Sequence, residues 1–166
     1  TRLGPDPTVV GDTAFYGLDF VPRSKRDDLD YEFDLHDAEH AALVSHGLFE
    51  PFPHADWDTE ELLRASNVDF DALLLGDNHT PDRAEIEGSW VTYCGSTERA
   101  DASERDARGY NIVAFEDGVS IRRRGLDTRP FVTLDLELSG GEGAEHVRER
   151  VREADVTDAV VIVTIE

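Results

Sequence analysis

Residues 70–79, FDALLLGDNH, constrain the fold more than any other stretch of this chain. The apolar run Ala72, Leu73, Leu74 and Leu75 reads as a buried strand, and it stops at Gly76 before Asp77, Asn78 and His79. A glycine there lets the backbone turn sharply. Side chains at i and i+2 of extended backbone share a face, so Asp77 and His79 are expected to point at one place. Residues 41–47, AALVSHG, end the same way, with His46 before Gly47. Two apolar strands that deliver His and Asp at their C-terminal ends predict a metal site at the edge of an α/β sheet, where such folds place their ligands.

With 166 residues the chain is expected to form one domain, or one domain and part of another. No apolar stretch approaches the ~20 residues that span a bilayer, and no signal peptide is visible, so a cytoplasmic protein without a membrane segment is expected. The first residue is Thr1, which fits a truncation or an internal fragment as well as processing. Acidic residues number 37 against 16 basic ones, a net charge of −21, and they are spread along the whole chain rather than packed in a block. Lys25 is the sole lysine. Regular apolar segments argue against a disordered acidic tail. Whole-surface acidity suits a halophilic cytoplasm, where salt screens self-repulsion over a few ångströms. Net charge therefore does not exclude a nucleic-acid substrate. Cys94 is the single cysteine, so no intrachain disulfide forms, and its flanks predict a small core residue rather than a nucleophile.

Along the chain, strands are expected at 13–20, 41–47, 70–76, 89–97, 110–115, 119–124 and 131–138. A charged connection is expected at 22–30, a helical turn near 34–42, a long surface loop at 49–58 and a polar turn at 80–87. Asp58 before Thr59, Glu60 and Glu61 reads as the cap of a short helix. Glu116, Asp117 and Gly118 carry a hairpin signal. Residues 98–109 are charged and open to helix or loop. Gly140–143 breaks the pattern, and 144–154 reads as an amphipathic helix before a β-branched strand at 159–165.

The six histidines are not equivalent. His36, His40, His54 and His146 sit in charged or loop contexts, for which solvated positions are the default. His46 and His79 each follow an apolar strand and stay open to two roles: a ring hydrogen-bonded to backbone, or a metal ligand. Imidazole and carboxylate donors suit Mn, Zn or Fe. Three side chains complete at most one ion, whereas phosphoester hydrolysis commonly uses two. Ser45 and Ser96 lie in no nucleophile elbow. Arg122, Arg123 and Arg124 would alternate faces on a strand, with a solvated edge as the plain reading.

LVSHG (43–47), LLLGDNH (73–79) and VTYCGSTER (91–99), in this order, resemble the nuclease subunit of the double-strand-break repair nuclease–ATPase complex. This is the Mre-eleven family, with the bacterial SbcD proteins as relatives, within the calcineurin-like metallophosphoesterases. The matching residues are His46, then Gly76 to His79, then Tyr93, Gly95, Ser96, Glu98 and Arg99. The resemblance implies a mixed α/β (α+β) fold: part of a metallophosphoesterase β-sandwich over residues 1–127, then part of a strand–helix–strand capping subdomain over 128–166. It implies a manganese-dependent DNA nuclease with two ions, His46 and His79 serving one each. Asp77 stands as a further ligand where the family usually carries His, and Cys94 stands where proline is common. No catalytic residue is expected within the chain. The catalytic histidine, together with the family's Asp-x-His and Asn-His-Asp motifs, would lie upstream, which leaves the fragment inactive. Arg83 and Arg99 are candidates for DNA contact. DNA ends, a coiled-coil repair ATPase and a second copy of the protein are the implied partners. Two alternatives remain: a small-molecule phosphodiesterase of the same superfamily, and a non-catalytic acidic interaction module with structural histidines.

Overall fold

A computed structural model describes residues 2–26, 28–104 and 106–166. Thr1 lies outside the described residues, as do Asp27 and Arg105 within the two charged stretches at 22–30 and 98–109.

Four strands become parallel neighbours: β2 (Thr13–Leu18), β3 (His40–His46), β4 (Ala72–Gly76) and β6 (Ser89–Tyr93). Short antiparallel strands flank them, β1 (Thr8–Val10) on β2 and β5 (Asp82–Ile86) on β6, closing a six-stranded sheet in the order β1-β2-β3-β4-β6-β5. The register aligns Tyr16 with Leu43, Leu43 with Leu73, and Leu73 with Val91, so one sheet face is continuous hydrocarbon. That face is covered by Leu62 of helix α1 (Thr59–Ala65) and by Phe33, Phe49, Phe52, Trp57 and Phe70. Asp58 caps α1 as expected, accepting from the Glu61 N–H at 2.9 Å.

The opposite face is only partly covered. The hairpin of β7 (Gly109–Glu116) and β8 (Gly118–Gly125) forms its own sheet and touches that face through Phe115 against Phe15 and through Asn111 at Thr92. Beside it runs an apolar trough of about 720 Å³ lined by Leu18, Val44, His46, Leu74, Gly76 and Val113. After the hairpin, β9 (Phe131–Leu136) and β10 (Val160–Ile165) pair in parallel across helix α2 (Ala144–Glu153). The whole is mixed α/β, with one broad sheet and, among the described residues, two α-helices. No described helix is long and apolar enough to cross a membrane.

Several sequence expectations need correction. No helical turn forms at 34–42; His40 opens β3 because it pairs with Thr13, while both backbone groups of Phe33 are held by the Asn67 amide. The stretch 49–58 is no surface loop, since Phe49, Phe52 and Trp57 are buried. Its aromatic residues have no regular period, so periodicity could not find them. The stretch 80–87 contains strand β5, whose polar character is that of a solvated sheet edge. Cys94 is half-buried rather than in the core. His40 is not solvated: its side chain is 13% exposed, its Nε2 lies 3.0 Å from the Glu116 carbonyl oxygen, and its ring tilts on Phe115.

Candidate metal centre

The parallel register brings the ends of β3 and β4 side by side, with His46 paired to Gly76. His46 is the last residue of its strand and 74% exposed, so its ring stands at the sheet edge rather than in the core. In its present place that ring leaves no room for a side chain at position 76. A Cβ there would stand 2.8 Å from His46 Nδ1, closer than such atoms approach. Immediately beyond, Asp77 adopts φ 93°, a left-handed conformation that few non-glycine residues accept. This turn carries its carboxylate back over the neighbouring strand, where Oδ1 lies 3.7 Å from His46 Nε2.

That kink separates the residues expected to converge. Asp77 and His79 do not share extended backbone, because the strand has ended at Gly76. Asp77 turns to His46, whereas His79 turns the other way and sets its Nδ1 2.5 Å from Glu104 Oε1. His46 and Asp77 form one pair of donors and His79 stands apart. Among the described residues, no group of three His, Cys, Asp or Glu side chains is assembled for a metal.

Two different structures hold these donors. Behind His46, the Tyr93 hydroxyl donates to the Gly47 carbonyl at 2.7 Å and accepts from the Phe49 N–H at 2.9 Å. Burial pushes the Tyr93 phenol up to about 12, so it remains a donor at neutral pH. Phe49 stacks on Trp57 with ring centroids 5.3 Å apart, and the Arg26 guanidinium lies 4.0 Å above the indole.

Behind His79, the support is ionic. Arg108 is 1% exposed at its side chain, and its Nη1 donates to Ser96 Oγ at 2.7 Å, Glu104 Oε2 at 3.1 Å and the His79 carbonyl at 3.3 Å. The Ser96 N–H also donates to that carbonyl. Gly95 has φ +71°, and a Cβ there would meet the same His79 oxygen at 2.8 Å. The His79 hydrogen bond, together with Arg108 and the Ala100 N–H, holds the Glu104 carboxyl below its usual range. Sequence reasoning found neither Glu104 nor Arg108. They lie in a charged stretch without periodicity, and only their burial distinguishes them.

The two arginines considered for DNA contact occupy structural positions. Arg99 donates through Nε, Nη1 and Nη2 to Glu104, Thr128, Arg129 and Asp106, and lies over the Phe131 ring. Arg83 donates to the Ile121 carbonyl and lies over Trp90 on the exposed β5 edge. Of the arginine triplet, Arg123 grips the Cys94 and Ala107 carbonyls, while Arg122 and Arg124 are solvated.

No protein-family model matches the chain. Curated proteins do match it. The chain is 68% identical to the DNA double-strand break repair protein Mre11 of Haloferax volcanii, across 99% of its own length and 38% of that relative. It is 60% identical to the protein of the same name from Halobacterium salinarum, across 99% of its length and 43% of that relative. The chain is thus similar to a part of two Mre11 proteins. A third Mre11, from Methanosarcina acetivorans, is 43% identical across 85% of the chain and 24% of the relative. The chain thus spans about two fifths of the length of the first two relatives. Both come from halophiles, which agrees with the reading of the diffuse acidity.

The donor set fits a divalent cation in part. An imidazole and a carboxylate stand at neighbouring strand ends, and position 76 has been left without a side chain where the ring needs room. His79 is a second imidazole, standing apart from that pair and turned to Glu104. These are donors for an intermediate transition metal rather than a thiophilic one.

Proposed function

We propose that this chain is part of a metal-dependent nuclease that hydrolyses DNA phosphodiesters at double-strand breaks, with His46 and Asp77 holding one divalent ion and His79 another. Manganese is the proposed ion. The observation that carries the reading is the His46–Asp77 pair at the ends of adjacent parallel strands, 3.7 Å apart and beside a glycine whose missing side chain makes room for the ring. The relatives, DNA double-strand break repair proteins by name, support this biological setting.

Held by His46, Asp77 and His79 together with further ligands, such ions would supply Lewis acidity for water activation and charge neutralisation at a phosphodiester. The chain's own residues orient and expose the donors. Gly76 admits the His46 ring, the turn at Asp77 brings a carboxylate to it, and the Tyr93 hydroxyl fixes the backbone that follows His46. Exposure of His46 and Asp77 leaves the edge open to a nucleic-acid backbone. The ligands that complete both ions, and the catalytic histidine, are proposed to come from sequence outside residues 1–166, since the relatives extend well beyond the matched part. DNA ends, a coiled-coil repair ATPase and a second copy of the protein are the proposed partners, in the cytoplasm.

The test is Mn²⁺ titration of the full natural protein, followed by EPR, with His46→Ala and His79→Ala. Each substitution should weaken binding and abolish nuclease activity. Unchanged Mn²⁺ binding in both would overturn the reading. Residues 1–166 alone should show no nuclease activity; robust manganese-dependent activity from them would overturn the claim that ligands come from elsewhere.

A further inference from the structure

A carboxylate that nothing in the sequence singled out controls which nitrogen His79 offers. Glu104 Oε1 lies 2.5 Å from His79 Nδ1. An ionised carboxylate only accepts, so the shared hydrogen belongs to Nδ1, and the neutral ring then carries its lone pair on Nε2. Glu104 is itself held. Its Oε2 receives the Arg108 guanidinium at 3.1 Å, the Ala100 N–H at 3.1 Å and the Ser96 hydroxyl at 3.5 Å. The same Arg108 nitrogen reaches the His79 carbonyl, so one clamp grips this residue by both ring and backbone.

We propose that Glu104 is the positioning carboxylate of His79, fixing the imidazole so that Nε2 faces a bound divalent ion, with Arg108 and Ser96 holding Glu104 in place. This rests on the reading of His79 as a ligand. Two observations make it more than a loop contact. Burying a guanidinium is costly unless it is paired, yet Arg108 is almost completely enclosed in a connection between strands, and its side chain converges on His79 and its partner. In addition, the His79 side chain is 53% exposed whereas Glu104 is 12% exposed, so a largely buried carboxylate holds a ring that stays open to solvent in part. A histidine ligand held through its second nitrogen by a carboxylate gains both orientation and basicity.

The experiment uses the full natural protein with ¹⁵N-labelled histidine. In metal-free wild type, the His79 ring should give the signature of the Nδ1–H tautomer. Glu104→Ala should release that tautomer preference and weaken Mn²⁺ binding, followed by EPR, by about 10- to 100-fold. Glu104→Gln keeps the shape and one acceptor oxygen. It should retain the tautomer and recover part of the affinity, and it carries the test alone if the alanine variant does not fold. An Nε2–H tautomer in wild type overturns the proposal, as does Mn²⁺ affinity within about twofold of wild type in every Glu104 variant that folds. If His79→Ala weakens Mn²⁺ binding while the Glu104 variants do not, the proposal alone fails. If His79→Ala leaves binding unchanged, the ligand reading fails first and takes the proposal with it.

Discussion

The connections that leave β3 and β6 begin at the same edge of the same sheet, yet they are built from opposite materials. Residues 47–57 bury aromatic rings: Phe49 on Trp57, Phe52 edge-on to Tyr93, and a single phenol tying the backbone of Gly47 and Phe49. Residues 94–108 bury charge: Arg108 and Glu104 with Ser96, drawn around the backbone of His79. The first positions His46 by packing, which is non-directional and tolerant of small shifts. The second positions His79 by hydrogen bonds, which are directional and fail when one partner is lost. The exposed ring of His46 needs only space and a firm strand end, whereas the orientation of His79 depends on a specific acceptor.

Breaking each connection should expose this difference. The largest loss of stability is expected from Trp57→Ala, roughly 3–5 kcal/mol by urea unfolding, because a buried indole leaves a void beneath Phe49. Arg108→Met should cost roughly 3 kcal/mol by the same measurement, since the largely buried Glu104 carboxylate loses its cation. A loss below about 1 kcal/mol there would mean that the ionic connection is the weaker support. Tyr93→Phe should cost about 1–3 kcal/mol by leaving the Phe49 N–H and the Gly47 carbonyl without this partner.

The pH dependence of stability separates the two connections further. Glu104 has a lowered pKa in the folded state, chiefly through its hydrogen bond to His79. Its contribution is therefore present above the ordinary carboxylate range and is lost as pH falls through the lower folded value. Urea midpoints measured from about pH 6 down to about pH 3 should fall less steeply in Glu104→Gln than in wild type. An identical acid limb would remove Glu104 from that account. The smallest stability effect is expected from Gly76→Ala, under about 1 kcal/mol, because the atom it meets belongs to an exposed, movable ring. Its Mn²⁺ affinity should nevertheless drop, as the His46 ring must leave its place; unchanged affinity would show that the space at position 76 is not used.

The strands were legible in the sequence because apolar runs bounded by glycine and acid have few other uses. The segments at 41–47 and 70–76 appear as β3 and β4, the cap at Asp58 starts α1, and Asp117-Gly118 joins the β7–β8 hairpin. The segments that escaped reading share a cause. Trp57 and Phe52 are buried by tertiary packing without any local period, and strand β5 has the polar composition of an edge. The site divided in the same manner. His46, Asp77 and His79 stood out as residue types at strand ends, but Glu104, 25 residues beyond His79, carries no local mark.

The sequence by itself determined which strands end in donor side chains, the diffuse acidity, and the chain's likeness to the Mre11 proteins, since all three follow from residue identity along one line. Which donors meet was decided only in three dimensions. The register sets His46 beside Gly76, the left-handed turn at Asp77 sends its carboxylate to His46, and His79 swings away to Glu104. A period of two along a strand predicts a shared face only while the strand continues, and here the backbone turns at the first residue beyond it.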